Sequence, residues 1–192
     1  MGKARNLANL QPSADGQIET NDIQDLAVTP AKMSQKLTSG TAVASTSGTA
    51  IDFTGIPSWA RRITVMFSGL SLSGGASPLI QLGDAGGIEA TGYLSSSVFL
   101  FGAVSSGNAT STSGIVLIGN DPNNQLIGSV VFSNLSGNLW VASGGWAYGN
   151  ALGVNGWAAG NKTLSAPLNR IRITTTNGTD TFDAGTINIM WE

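Results

Sequence analysis

The stretch that decides the fold class is Asp52-Phe53-Thr54-Gly55-Ile56-Pro57-Ser58-Trp59-Ala60-Arg61-Arg62-Ile63-Thr64-Val65-Met66-Phe67. Its first half has the composition of a turn, because Gly55 can adopt a positive φ and Pro57 favours an extended residue before it. Its second half alternates, with Ile63, Val65 and Phe67 on one side. Period-two alternation of β-branched and aromatic residues predicts a half-buried strand. The stretch therefore predicts a turn that leads into a β-sandwich core.

Further strands are predicted on both sides of this stretch. They are Ala42–Ser45, Pro78–Gly83, Ile88–Tyr93, Ser97–Val104, Ile115–Ile118, Leu126–Phe132, Leu139–Ala142, Arg170–Thr176 and Thr186–Trp191. Ser105–Gly114 and Gly144–Gly160 are predicted loops, and Ser136–Asn138 a hairpin turn. About ten short strands with turns between them indicate an all-β fold, an antiparallel, jelly-roll-like β-sandwich over residues 41–192. Arg170–Thr176 repeats the pattern of Arg62–Phe67, so the two strands are expected to pair or to occupy equivalent places.

The composition excludes several classes of function. Charged residues make up 10% of the 192 residues, and the net charge is −2, so electrostatic binding to nucleic acid has little support. Apolar runs are too short for a membrane-inserted helix, and no signal peptide is visible. The sequence has no Cys and no His, which excludes disulfides and thiolate metal sites and removes the commonest general base. We expect no cofactor and no metal site.

Residues 1–40 differ from the rest, because their apolar residues are sparse and irregularly spaced. A segment of this kind buries too little surface to fold alone. It is either a disordered tail or, as we favour, an extended attachment arm that lies on a partner or winds with copies of itself; Pro30–Leu37 could form one short helix. The residues expected to make the attachment are Leu7, Leu10, Ile18, Ile23, Leu26 and Val28.

Several stretches resemble virion proteins of tailed bacteriophages and prophages. They are Ala50–Pro57 with Arg62–Phe67, Gln81–Glu89, Thr163–Arg170 and Asp180–Ile189, while Gly16–Ile23 and Ala27–Met33 are similar to segments of phage fibre shafts and arms. The resemblance implies a homotrimeric fibre or decoration subunit that is assembled in the bacterial cytoplasm and located in the virion. It implies an N-terminal arm bound to other virion proteins of the tail or capsid, and a β-domain that faces outward. The Trp146–Trp157 region departs most from the family.

The carboxylate pairs Asp84 with Glu89 and Asp180 with Asp183 are the candidates for glycoside cleavage. Each pair lies in or beside a Gly- or Asn-containing turn, where a carboxylate accepts hydrogen bonds from local amides. Asp121–Asn124 offers oxygen ligands without the spacing of a calcium loop. Turn formation is the favoured interpretation in each case, and we expect no enzymatic activity.

The residues predicted to bind a receptor are Trp146, Tyr148 and Trp157, which lie among small residues in the predicted Gly144–Gly160 loop. Rigid aromatic side chains on such a loop would provide contact area at low entropic cost. The alternative is that they fill the end of the sandwich or the trimer axis. Trp59, Trp140 and Trp191 are assigned to the core or to an interface.

Two functions follow as hypotheses. The first is a non-enzymatic trimeric tail fibre that presents its β-domain to a host-surface glycan or protein. The second is a capsid decoration or head-fibre protein with a mechanical role. A secreted glycan hydrolase is a distant third, since His is absent and the carboxylates are isolated.

Overall fold

Fourteen β-strands make up the secondary structure of residues 37–102, 104–119, 121–150 and 153–192, the part of the chain that the computed structural model describes. They are β1 (Thr38–Ser39), β2 (Val43–Ala44), β3 (Ala50–Thr54), β4 (Arg62–Leu72), β5 (Pro78–Asp84), β6 (Gly87–Ile88), β7 (Tyr93–Phe101), β8 (Val104–Ser111), β9 (Ile115–Val116), β10 (Leu126–Ser136), β11 (Leu139–Tyr148), β12 (Val154–Thr163), β13 (Arg170–Thr175) and β14 (Phe182–Trp191). Leu37–Glu192 forms one compact unit.

The strands form two antiparallel sheets. The large sheet has nine strands in the order β1-β14-β4-β10-β11-β12-β7-β8, with β2 paired to β14. The small sheet has five strands in the order β3-β13-β5-β6, with β9 paired to β5. Buried side chains of both sheets form one apolar cluster, to which Val65 and Phe132 contribute from the large sheet and Ile80 and Ile171 from the small one. The predicted all-β class and antiparallel sandwich are confirmed.

The corner between β3 and β4 passes the chain from the small sheet to the large one. Gly55 adopts a φ of 77°, as predicted, and the Ile56 amide donates a hydrogen bond to the Asn169 carbonyl at 3.0 Å. Ile63, Val65 and Phe67 are buried, which confirms the predicted strand. The prediction was wrong before Gly55: residues 52–54 belong to β3, whose side chains alternate between buried and exposed beside β13.

The strand β13 does not pair with β4, although their sequences alternate alike. It lies between β3 and β5 in the small sheet, where Ile171 and Ile173 are buried. Of the two expected relations, pairing is therefore wrong. The two strands share a pattern because each turns one face toward the same core from opposite sheets.

Three sequence-based assignments outside that corner are corrected by the structure. Most of Ile88–Tyr93 connects the short β6 to β7, most of the predicted Ser105–Gly114 loop is β8, and most of the Gly144–Gly160 loop belongs to β11 and β12. The glycines of the last segment are needed for close approach between strands. A Cβ at Gly144 would lie 2.6 Å from Val130 Cα, and one at Gly156 would overlap the Trp146 indole. These glycines occur where neighbouring strands approach closely, and composition alone does not distinguish such glycines from those of turns.

Side chains of β7 connect the two sheets by hydrogen bonds in the interior. The Leu82 amide donates to the Tyr93 hydroxyl oxygen at 2.6 Å. The hydroxyls of Ser95 and Ser97 each accept from the segment around β9, from the amides of Val116 and Ile118, both at 3.0 Å. Buried polar groups are stable when paired in this way. The contacts fix the position of the large sheet over β5 and β9.

Candidate functional site: the outer face of the large sheet

Five neighbouring strands of the large sheet, β10, β11, β12, β7 and β8, contain a single charged residue. It is Lys162, whose side chain is buried on the inner side of the sheet. The sequence carries the same signal, because Asp121 is the only charged residue between Glu89 and Lys162. Antiparallel sheets with one solvated face ordinarily alternate apolar and polar side chains. The side of these strands that faces away from the core differs, because its polar residues are all uncharged and apolar residues lie among them.

We call this surface the outer face, defined by the side chains of the five strands that point away from the small sheet. The alternate residues of the same strands, such as Val130, Phe132 and Ala142, point toward the core and are buried. Outward and inward side chains therefore alternate along each strand. The outer face consists of the apolar residues Leu94, Val98, Ile127, Val131, Val141, Ala147, Trp157 and Ala159 and the neutral polar residues Ser96, Asn108, Thr110, Ser129, Ser133, Ser143, Asn155 and Asn161. Sequence reasoning missed all of these except Trp157, because their outward direction depends on strand register.

Trp157 is the largest side chain on the outer face, and 51% of its surface is exposed. It stands opposite Gly145 on β11 and Val98 on β7. A Cβ added at Gly145 would lie 3.5 Å from Cδ1 of Trp157, so the indole lies beside a residue without a side chain. A shallow hollow extends from the indole toward Ile127 and Asn155, and no charged side chain lines it. Trp157 is therefore positioned to contact another molecule through apolar area.

Trp146 and Tyr148 lie on the opposite side of the sheet from Trp157. They are 4% and 8% exposed and belong to the core cluster, so their predicted position on a loop was wrong. The ring centroids of Tyr148 and Phe99 are 6.4 Å apart, and burial raises the pKa of the Tyr148 hydroxyl. Nε1 of Trp146 is buried without a hydrogen-bond partner. Of the three residues predicted to bind a receptor, Trp157 alone has an exposed side chain, and the receptor role stays a prediction.

The other tryptophans confirm their assignment to the core. Trp140 is 4% exposed, and Trp59 and Trp191 are partly buried against the core cluster.

The outward side of the small sheet is charged, in contrast to the outer face. Arg172 on β13 donates two hydrogen bonds of 2.7 Å to the carboxylate of Asp52 on β3. These hydrogen bonds hold the pKa of Asp52 below its usual value, against the opposing effect of burial. Arg170 lies on the same strand as Arg172. The outward surface of the small sheet is thus charged, and the outer face of the large sheet is not.

A polar cluster next to the small sheet contains the buried Asp84, Tyr93 and Lys162, the partly buried Glu89 and the exposed Ser165. Nζ of Lys162 is 2.5 Å from Oε2 of Glu89 and 5.5 Å from the centre of the Tyr93 ring. The Ser165 hydroxyl lies 2.8 Å from carboxylate oxygens of both acids and donates to one of them at a time. The five side chains join the end of β12 to the turn between β5 and β6.

The pKa values in this cluster follow from its hydrogen bonds. Burial raises the pKa of Glu89, but hydrogen bonds from Lys162 and from the amide and hydroxyl of Ser165 lower it more, so that it lies below its usual value. The Ser165 hydroxyl is the main cause of the lowered pKa of Asp84. Burial raises the pKa of Tyr93 far above its usual range. Both carboxylates are thus held ionised as hydrogen-bond acceptors.

The remaining candidate carboxylates accept hydrogen bonds from their own or neighbouring turns. Asp84 accepts from the Gly86 amide at 2.7 Å, Asp121 from the Asn123 amide at 2.8 Å, and Asp180 from the Ala76 amide at 2.9 Å. The side chain of Asn177 is the main cause of the lowered pKa of Asp180. The contacts of Asp84 and Asp121 are local, as the sequence predicted, whereas the amide that Asp180 accepts from belongs to the distant Ala76.

The predicted attachment residues lie outside the described part of the chain. They are Leu7, Leu10, Ile18, Ile23, Leu26 and Val28, and the short helix predicted for Pro30–Leu37 falls almost entirely in the same segment. Their role stays a prediction.

Comparison of the chain with protein-family models, curated proteins and solved structures finds no match. Among the described residues, no group of three or more Asp and Glu side chains is arranged to hold a metal ion. In the same residues, no helix is long and apolar enough to cross a membrane.

Proposed function

We propose that this chain is a structural protein of a tailed-bacteriophage virion, a subunit of a homotrimeric tail fibre. Residues 1–40 attach it to the other virion proteins, and the sandwich faces outward and binds a glycan or protein of the host surface. The proposal extends the resemblance of the turn and strand motifs to virion proteins. It assigns the protein no catalytic activity and no cofactor.

The observation that carries the proposal is the outer face. Exposed large apolar side chains such as Leu94, Ile127 and Trp157 on this face favour contact with another macromolecule, because apolar area left in water is costly. The exposed Trp157 is the residue type most often found at energetic centres of such contacts. A surface of this kind suits a protein whose work is assembly and adhesion.

The proposal is tested by locating the chain on purified phage particles. Antibody raised against residues 37–192 and visualised by electron microscopy should mark the tail tip or tail fibres. Labelling of no particle component would refute the proposal.

Host binding is tested separately with the purified protein. Fluorescently labelled chain should bind susceptible cells and not resistant ones. Undiminished binding by Trp157→Ala would exclude Trp157 as the receptor contact. The proposal that the chain is a virion structural protein would still stand.

The second candidate is a capsid decoration or head-fibre protein with a mechanical role. The breadth of the outer face favours it, since a broad, uncharged surface suits regularly repeated neighbours on a lattice. Antibody labelling confined to the head, with no binding of the purified protein to cells, would select this candidate.

A further inference from the structure

We propose that the outer face is covered by a second copy of this chain, and that this contact holds the subunits of the assembly together. The inference rests on the proposed function, which requires copies of the chain to associate, and it assigns that association to a surface. The sandwich has two outward surfaces, and they differ in charge.

Charge separates the two surfaces. The small sheet presents Asp52, Arg170 and Arg172 to its outside, whereas the five strands of the outer face present no charged side chain. In a homotrimer whose outer faces turn toward the three-fold axis, equivalent surfaces face one another, so a charged surface there meets its own like charges unless each charge finds an opposite partner. The outer face avoids this cost altogether. Lys162, the one charged residue of these strands, is held inside by Glu89.

The area of the outer face suits a stable contact. Five strands spaced about 4.8 Å apart and about nine residues long cover roughly 700 Å². A standard protein–protein interface buries about 800 Å² on each partner. The face is therefore large enough for a specific contact between copies of the chain.

The shape of the outer face allows another sheet to approach. Its centre is built from small residues, with Ser143 on β11 directly opposite Ala159 on β12. Beside them Trp157 rises over Gly145, and the neighbouring hollow is open to receive a side chain. Interfaces concentrate their binding energy in a few large side chains of this kind, surrounded by smaller contacts that exclude water. We therefore assign Trp157 to the centre of the contact.

Two matched substitutions test the assignment in the full-length protein. Ala159→Lys places a charge on the outer face, and Ala50→Lys places the same charge on the outward surface of the small sheet. Both alanines are exposed strand positions in the single chain, so both variants should fold. Size-exclusion chromatography with light scattering and sedimentation velocity give the mass, and circular dichroism with thermal melting checks the fold.

The native chain and Ala50→Lys should form the same oligomer. Ala159→Lys should weaken association by more than about tenfold, because each copy would bury an unpaired charge in the contact. Trp157→Ala should weaken it as well, through loss of area instead of gain of charge. A folded Ala159→Lys that associates as the native chain does would overturn the inference, as would a native chain that stays monomeric at every concentration tested.

The same variants separate this inference from the proposed function. If Ala159→Lys keeps the native mass but no longer binds host cells, the outer face is a receptor site, and the inference is wrong while the proposed function stands. If association depends on the outer face but antibody marks no part of any particle, the inference stands and the proposed function fails.

Discussion

Trp146 and Trp157 lie on opposite sides of one sheet, and this decides how each substitution acts. Trp146→Ala should lower the free energy of unfolding by about 3–5 kcal/mol, because it leaves a cavity in the core. Trp146→Phe should cost less, since it also removes the buried Nε1 donor that has no partner. Trp157→Ala should change stability by less than about 1 kcal/mol. Urea unfolding of the three variants in dilute solution measures this, and equal losses for Trp146→Ala and Trp157→Ala would contradict it.

The ion pair between Lys162 and Glu89 should show strong coupling. Only 7% of the Lys162 side chain and 22% of the Glu89 side chain is exposed, so removal of one partner leaves a poorly solvated charge. Lys162→Met alone should cost about 3 kcal/mol or more. Lys162→Met with Glu89→Gln should cost less than the sum of the two single changes. A double-mutant cycle measured by urea unfolding tests this, and strictly additive costs would show that the contact contributes little.

The adjacent glycines Gly144 and Gly145 of β11 test whether close packing between strands requires glycine at a given position. A Cβ at Gly144 would lie 2.6 Å from Val130 Cα, whereas one at Gly145 would meet its nearest atoms at 3.5 Å, an ordinary contact. Gly144→Ala should therefore lower the melting temperature by several degrees, since each 1 kcal/mol corresponds to roughly 2–4 °C in a domain of this size. Gly145→Ala should leave it unchanged or raise it, because alanine has less conformational freedom in the unfolded chain. Similar melting temperatures for the two variants would mean that packing does not explain Gly144.

The strands that could be predicted from the sequence are those with large apolar residues at every second position. Ile63, Val65 and Phe67 predicted β4 because each buries a large side chain on one face. The same reasoning failed for β8, an outermost strand built mainly from small polar residues, and for β11 and β12, where glycine permits close approach. Composition alone cannot separate those glycines from turn glycines, because the difference lies in a neighbouring strand.

The candidate site was only partly predictable for a related reason. Trp146 and Trp157 lie on the paired strands β11 and β12, so the faces they occupy follow from the pairing of Trp146 with Gly156 and of Trp157 with Gly145. That register is a property of the whole sheet. The long uncharged run of sequence was the available signal for the outer face, and its meaning required knowing that alternate residues of the run point outward.

The stability of the whole sandwich should fall in acid. Asp52, Asp84, Glu89 and Asp180 have pKa values below their usual values of 3.8 for Asp and 4.5 for Glu, chiefly because folded partners donate hydrogen bonds to them. The unfolded chain therefore binds protons at a higher pH than the folded one. The stabilisation is present above pH of about 4.5 and is lost as the pH falls through the lowered values.

Urea midpoints measured from neutral pH down to about pH 3 test this dependence. The midpoint should stay level above about pH 5 and then decrease. Asp52→Asn, which removes one of the four carboxylates together with its Arg172 contact, should start lower at neutral pH and decrease less in acid. A midpoint that rises on acidification would contradict the direction of these pKa shifts.

Residues 1–36 and the sandwich should have separable roles. Leu37–Glu192 is a compact unit that contains the whole described core, so a chain beginning at Leu37 should keep a cooperative thermal transition. Because the proposed function assigns virion attachment to the N-terminal segment, this shortened chain should no longer join phage particles when it replaces the full-length protein. Particle composition is measured by mass spectrometry, with the Leu7, Leu10 and Ile18 to Ser triple substitution as a full-length control that should show the same loss. If the shortened chain were incorporated normally, the attachment site would have to lie in the sandwich itself. The outer face would then be the first surface to test, and Ala159→Lys should remove the protein from the particle.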